Sequence, residues 1–242
     1  RSAGMEIQAI SKSGSNTLAG STYGYFRSDN LNSADKVAKR VLPYENQQLG
    51  GTLGGPVVKD KLHYFASYEY EREPGTIFTN PSLLPGASFS IPYKNGQKSF
   101  LGRVDQQLSS GNRLSVRGSR WDWQNPVVLA AGGHPSASSV QTKNATNILG
   151  TWSRVKRATL LEVKGGYNGF KWTNAPQDSL LGIPEYRVPG LTFGAPYNYP
   201  QTLMQDNWTG RFDFSTHKDR HDLKAGVEYI HVQNGGPWYI QR

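Results

Sequence analysis

The stretch "GGTLGGPVVKDKLHYFASYEYERE", residues 50–73, decides how the rest of the chain is read. Pro56 cannot donate to a hydrogen-bond ladder, so it belongs at the end of a strand. Lys59-Asp60-Lys61 is polar and short enough for a tight turn. From Leu62 the residues alternate: Leu62, Tyr64, Ala66, Tyr68 and Tyr70 share one face, and His63, Phe65, Ser67, Glu69 and Glu71 share the other. Before the turn, Gly50, Thr52 and Gly54 fall on one face and Gly51, Leu53 and Gly55 on the opposite one. The stretch therefore predicts two antiparallel strands, 47–57 and 62–72, one greasy on a single side and one nearly without side chains.

The same period of two recurs down the chain, in segments at 17–26, 99–108, 113–123, 147–155, 159–170, 206–215 and 222–233. Four connections are short, at 59–61, 109–112, 156–158 and 216–221; the others, 27–46, 73–98, 124–146 and 171–205, are long and rich in Pro, Gly, Asn and aromatics. Short and long links alternate strictly. An all-β, antiparallel, up-and-down transmembrane β-barrel predicts that alternation, with short periplasmic turns at one rim and long extracellular loops at the other. Tyr68, Tyr70, Tyr167 and Tyr229 fall late in upward strands, where an interfacial aromatic girdle would sit. Single-chain bacterial barrels close with an even strand number, so these segments are expected to form a partial barrel that residues beyond Arg242 complete. A competing reading, a soluble secreted β-sandwich serving adhesion or carbohydrate binding, shares the alternation but turns the apolar face inward. It would gather Leu62, Val163 and Val227 in a dry centre between two layers.

Composition fits strands joined by turns: 27 Gly, 14 Pro and 12% aromatic residues against only 36% hydrophobic ones. The net charge of +9 suits anionic lipid headgroups, and without a Lys/Arg run of five or more it points to no nucleic acid. No stretch approaches the ~18 consecutive apolar residues of a membrane helix, which leaves barrel strands open. An enzyme finds no support. There is no cysteine and no Gly-x-Ser-x-Gly, and "GGTLGG" is followed by Pro56 and Val57 rather than the Lys-Ser/Thr of a phosphate loop. His217 and His221 flank a tight turn instead of sharing a helix face, so neither metal nor cofactor is expected. "FLGRVDQQLSSGNRLSVRG" (100–118) echoes "WTGRFDFSTHKDRHDLKAG" (208–226), and alternation directs Arg103, Asp105, Arg211 and Asp213 inward, where they are expected to pair.

"EIQAISKSGSNTLAGSTYGYFRSDNLNS" (6–33) followed by "QQLGGTLGGPVVKDKLHYFASYE" (47–69) closely resembles TonB-dependent outer-membrane receptors of the Oar-like type. His63-Tyr64-Phe65 stands where that family usually has an all-aromatic triplet. The resemblance implies a plugged barrel of about 22 strands. Residues 1–16 would be the end of the plug, and 17–242 the N-terminal part of the barrel. The partners implied are outer-membrane lipid, the chain's own plug, a small or medium-sized ligand, and the TonB complex through a region not in this chain. Gly50, Thr52 and Gly54 would let the plug backbone approach the wall. Aromatic and basic residues assigned to the long outer loops, Trp121, Trp123, Tyr186, Arg187, Phe193, Tyr197 and Tyr199, are the expected ligand contacts.

Overall fold

The computed structural model describes residues 10–36, 39–129, 133–177, 182–196 and 200–238. Nine long strands form one antiparallel sheet: β1 (Ala19–Ser28), β2 (Glu45–Val58), β3 (Leu62–Thr79), β4 (Phe89–Ser109), β5 (Asn112–Val128), β6 (Ser139–Lys156), β7 (Thr159–Pro176), β10 (Gln201–Lys218) and β11 (His221–Gly235). Two three-residue strands, β8 (Tyr186–Val188) and β9 (Leu191–Phe193), make a separate hairpin between β7 and β10. The long strands pair in chain order, so the sheet is an up-and-down meander whose edges, β1 and β11, are hydrogen-bonded on one side only.

All nine alternating segments are strands, but they run further outward than their hydrophobic pattern. β3 continues to Thr79 and β4 begins at Phe89, so the expected 73–98 connection shrinks to residues 80–88. The prolines that read as breakers sit where a ladder tolerates them. Pairing between β2 and β3 reaches only to Gln47↔Arg72, which leaves Pro74 on a free edge. β5 meets β4 only up to Gly96↔Gln124, which frees the β5-side edge of β4 for Pro92. Pro126 lies in the register shift between Asn125 and Val128, and Pro176 is the last residue of β7.

The four short turns each hold one left-handed residue: Asp60 (φ 60), Gly111 (φ 79), Arg157 (φ 54) and Asp219 (φ 57). The last of them is tighter than the sequence predicts, since Lys218 pairs with His221. The opposite rim carries the longer links. Several fold over the strand ends: Thr79 Oγ1 donates to the Gly133 carbonyl (2.9 Å), the His134 N–H to the Thr192 carbonyl (2.8 Å), and the Gly194 N–H to Ser136 Oγ (3.0 Å). Thr79, Ser138, Ser139, Asn174 and Gln201 are buried beneath this cap.

Registers assign every side chain to one of two faces. The pairs Tyr68↔Phe100, Leu53↔Ala66, Val104↔Val116, Trp152↔Val163, Tyr167↔Trp208 and Phe212↔Val227 put the apolar set on the outward face. On the other face lie Ser67, Ser119, Asn147, Asn168 and Asn207, lining a trough that crosses β3 to β10. That face encloses space and is the inner one. Among the described residues no second layer covers the outward face: Val163 is 41% and Val227 66% exposed, and the buried apolar residues are Val127 and Ala195 alone. The sandwich reading requires Leu62, Val163 and Val227 in a dry centre, and this arrangement removes it.

Candidate ligand-binding site

The inner wall is chemically layered. Nearest the short turns it is ionic. Arg103 Nε lies 2.7 Å from Asp105 Oδ2, Arg113 reaches the same carboxylate from β5 at 2.9 Å, and Asp105 is 5% exposed. Lys164 pairs with Glu162 at 2.6 Å and Arg211 with Asp213 at 2.6 Å. Both Arg-x-Asp pairs bond along their own strand, because residues two apart share a face. Arg117 Nε is buried in this layer without a hydrogen-bond partner.

Residues 10–16 cross this face before the chain enters β1. Arg103 donates to the Ser11 carbonyl at 2.8 Å and to Ser11 Oγ at 3.1 Å. At the other end of the segment the Asn16 side chain closes on the first turn. Its Oδ1 accepts from the Asp60 N–H (2.8 Å), lies 2.7 Å from His63 Nε2, and its amide donates to Asp60 Oδ1. Between these anchors Gly14 lies so close that a Cβ there would meet the Tyr64 carbonyl oxygen at 2.1 Å and that of Gly55 at 2.9 Å. Gly54 faces it, and a Cβ on Gly54 would come within 3.5 Å of Gly14 Cα. The space over Gly50 is filled differently: the Tyr23 ring lies across it, and its hydroxyl donates to Glu69 Oε2. Thr52 bonds Ser21 on β1 at 2.8 Å.

Above the ionic layer the inner wall is mostly uncharged, with Glu69 and Glu71 on β3 and Lys143 on β6 sharing that face. A trough of about 550 Å³ runs across six strands and is lined by Ser67, Ser99, Ser119, Trp121, Asn147, Asn168, Phe170, Gln205 and Asn207. Asn147 donates to Asn168 Oδ1, whereas Asn207 Oδ1 is buried and unpartnered. Trp121 is fixed by its indole N–H to Gln97 Oε1 at 3.2 Å. One residue pair higher, Lys143 Nζ stands 4.6 Å over the Trp123 ring, and Trp172 lies 6.1 Å from Trp238. Trp121 and Trp123 are thus strand residues on the inner face, not loop residues. Tyr186 and Phe193 stack on each other in the β8–β9 hairpin at 4.9 Å, beside the Arg187–Glu185 pair at 3.1 Å. Tyr197 and Tyr199 lie outside the described residues. Sequence reasoning missed Phe170, Asn147, Asn168 and Asn207. Period two places each on a face, but only the cross-strand register brings them beside Trp121.

The outward face has its own order. Tyr68 and Phe100 form one cross-strand pair, Tyr167 and Trp208 a second with rings 4.5 Å apart, and Tyr229 lies two residues further down. This aromatic row steps downward from strand to strand, as tilted strands require. From it to the short turns, β4, β7, β10 and β11 count about eight to ten residue steps. At ~3.3 Å per residue and ~40° of tilt that is a belt roughly 20–25 Å high, the height of an outer-membrane hydrocarbon layer.

A family model described as an outer membrane beta barrel domain matches residues 10–90 and 79–236. The chain belongs to that family. Its barrel wall sits in the bacterial outer membrane, with the aromatic row at an interface and the inner face around the lumen. The TonB-dependent transporter Oar of Myxococcus xanthus is 37% identical over 76 residues, which cover 28% of this chain and 7% of that protein. The matched stretch is a small fraction of that relative's length. No solved structure matches.

Proposed function

We propose that this chain begins the barrel of a TonB-dependent outer-membrane receptor, with residues 1–16 ending a plug and 17–242 forming the first barrel strands. The complete barrel takes up a scarce, bulky ligand of siderophore, glycan or peptide class and performs no covalent chemistry. The TonB complex engages a region outside this chain. The observation that carries the reading is the course of residues 10–16, which lie along the inside of the wall before β1 begins. A chain segment inside the lumen, immediately ahead of the first strand, is what a plug preceding its own barrel leaves behind. The local likeness to Oar, a TonB-dependent transporter, supports the same reading.

In this reading ligand passes the cap that holds Tyr186, Arg187 and Phe193 and meets Trp123 and Trp121 on the inner wall. Aromatic faces bind by stacking and apolar burial, and the amides between them supply hydrogen bonds. The test is uptake by cells carrying the full-length receptor. Growth on a panel of ferric siderophores, oligosaccharides and peptides is compared among the parent strain, a strain lacking the receptor and a strain lacking TonB. The two deletions are expected to abolish uptake of the same compound. Uptake that persists without TonB overturns the energised-transport reading.

A further inference from the structure

On the outward face, directly above the aromatic row, the wall changes from greasy to charged. The register aligns Lys98, Asp122, Asn144 and Lys171 in one row across β4, β5, β6 and β7. Arg120 and Thr146 lie one pair below and Asp206 beside them. Lys98, Arg120 and Lys171 are all exposed. Arg120 is oriented rather than free, with Nη2 2.6 Å from Asp122 Oδ1 and Nη1 donating to Thr146 Oγ1 at 2.8 Å. Asn144 bonds the same carboxylate at 2.8 Å, and Asp206 accepts from the Tyr167 hydroxyl. One pair above the row, the outward-facing Gln124, Thr142 and Thr173 line a cavity of about 1070 Å³ at the strand ends, shared with Tyr44, Tyr93 and Lys94.

We propose that this strip, from the Tyr167–Trp208 pair to the cavity, binds a phosphorylated glycolipid of the outer leaflet. The three tiers match such a molecule in order along the membrane normal. Acyl chains lie on Ile148, Tyr167 and Trp208, phosphates meet Lys98, Arg120 and Lys171, and sugar hydroxyls enter the cavity at Gln124, Thr142 and Thr173. The cations outnumber Asp122 and Asp206, and the two carboxylates hold Arg120 and Tyr167 in place while leaving the lysines open to phosphate. A protein partner fits less well, because the strip is continuous with the lipid-facing belt and its lower edge is immersed in acyl chains. The inference goes beyond ligand uptake and stands or falls without it.

The test uses the full-length receptor in detergent and measures binding of bisphosphorylated lipid A by native mass spectrometry and thermal shift. Each cation near a charged lipid surface is worth about a fivefold change, so Lys98→Gln/Arg120→Gln/Lys171→Gln is expected to weaken binding about 100-fold. Lys143→Gln/Lys224→Gln, which removes charge from the inner face, is expected to leave it unchanged. Thr142→Trp fills the cavity and is expected to weaken a lipid carrying core sugars at least tenfold while sparing lipid A. Equal binding by the outward and inner variants, or unchanged affinity for dephosphorylated lipid A, overturns the proposal. So does a Thr142→Trp variant that treats both lipids like the parent.

Discussion

Gly14→Ala is the smallest change that should lift the N-terminal segment off the wall. The added methyl would sit 2.1 Å from the Tyr64 carbonyl oxygen and 2.9 Å from that of Gly55. Both are backbone atoms of paired strands and cannot turn aside, so the segment must move. The anchor at Asn16 adjoins the first turn and can survive a hinge at Gly14. The anchor at Ser11 cannot, because Arg103 reaches its carbonyl at 2.8 Å and only in this position. A hydrogen bond from a charged donor is worth about 1.5–3 kcal/mol. Losing it raises the opening equilibrium of residues 10–16 by about 10- to 150-fold, taking ~1.4 kcal/mol per factor of ten.

Hydrogen exchange read by mass spectrometry on the full-length protein in detergent measures that equilibrium directly. Peptides covering residues 10–16 should exchange faster by that factor, while peptides from β6 and β7 serve as an unchanged reference. Ser13→Ala alters an exposed side chain of the same segment and should exchange like the parent. If Gly14→Ala also stays within twofold of the parent, the segment is not pressed against the wall. The assignment of residues 1–16 to a plug then loses its structural support.

Asp105→Asn and Asp213→Asn remove the same motif at different depths. The first leaves Arg103, 16% exposed, without its carboxylate and should cost about 2–3 kcal/mol in a urea unfolding titration, while loss of the solvent-screened second pair should shift the unfolding midpoint much less. Trp121→Ala should weaken the transported ligand about tenfold by fluorescence titration, and Trp208→Ala, on the outward face, should leave that affinity unchanged. Asp122, above the membrane belt, is held below the ordinary carboxylate pKa by the hydrogen bond from Arg120, so its contribution is complete above about pH 4 and fades as pH falls through the lowered value. The difference in thermal midpoint between parent and Asp122→Asn should therefore be equal at pH 7 and pH 5 and smaller at pH 3.

How much was legible in the sequence depended on which part of the membrane a residue occupies. Within the belt, lipid on one side and lumen on the other force a clean period of two, and all nine strands were readable there, down to the turn at Asp60. Beyond the belt both faces meet water, the constraint vanishes, and Pro74, Pro92 and Pro126 read as loop. They are strand residues because edges and bulges, which depend on where the neighbouring strand stops, excuse a missing N–H. The candidate site divides similarly. Arg103 and Asp105 are two apart in sequence and share a face by local geometry alone. Trp121, Phe170 and Asn207 meet only through registers across several strands, and no local pattern encodes those. The contrast between Arg103–Asp105 and Arg120–Asp122 shows the limit: the same Arg-x-Asp spacing lies inside the lumen on β4 and outside it on β5, one strand away.

The absence of a packed centre also bears on where this wall can exist. A single-layer sheet gains almost nothing from burying its own side chains. Among the described residues only Val127 and Ala195 are buried and apolar, while Leu53, Phe100, Ile148, Trp208, Val227 and Tyr229 stand exposed on one side. In water those residues would cost what hydrophobic burial normally returns, and the open edges at β1 and β11 would invite pairing between chains. In a bilayer the terms change sign. The exposed apolar face becomes solvated by acyl chains, and each strand-to-strand hydrogen bond is retained because hydrocarbon offers the backbone no alternative partner. The outward residues, the continuous ladders and the thin core therefore require the same surroundings, and they require them only between the short turns and the aromatic row. Above that row Lys98, Arg120 and Lys171 take over the outward face, and lipid phosphates replace acyl chains as its neighbours.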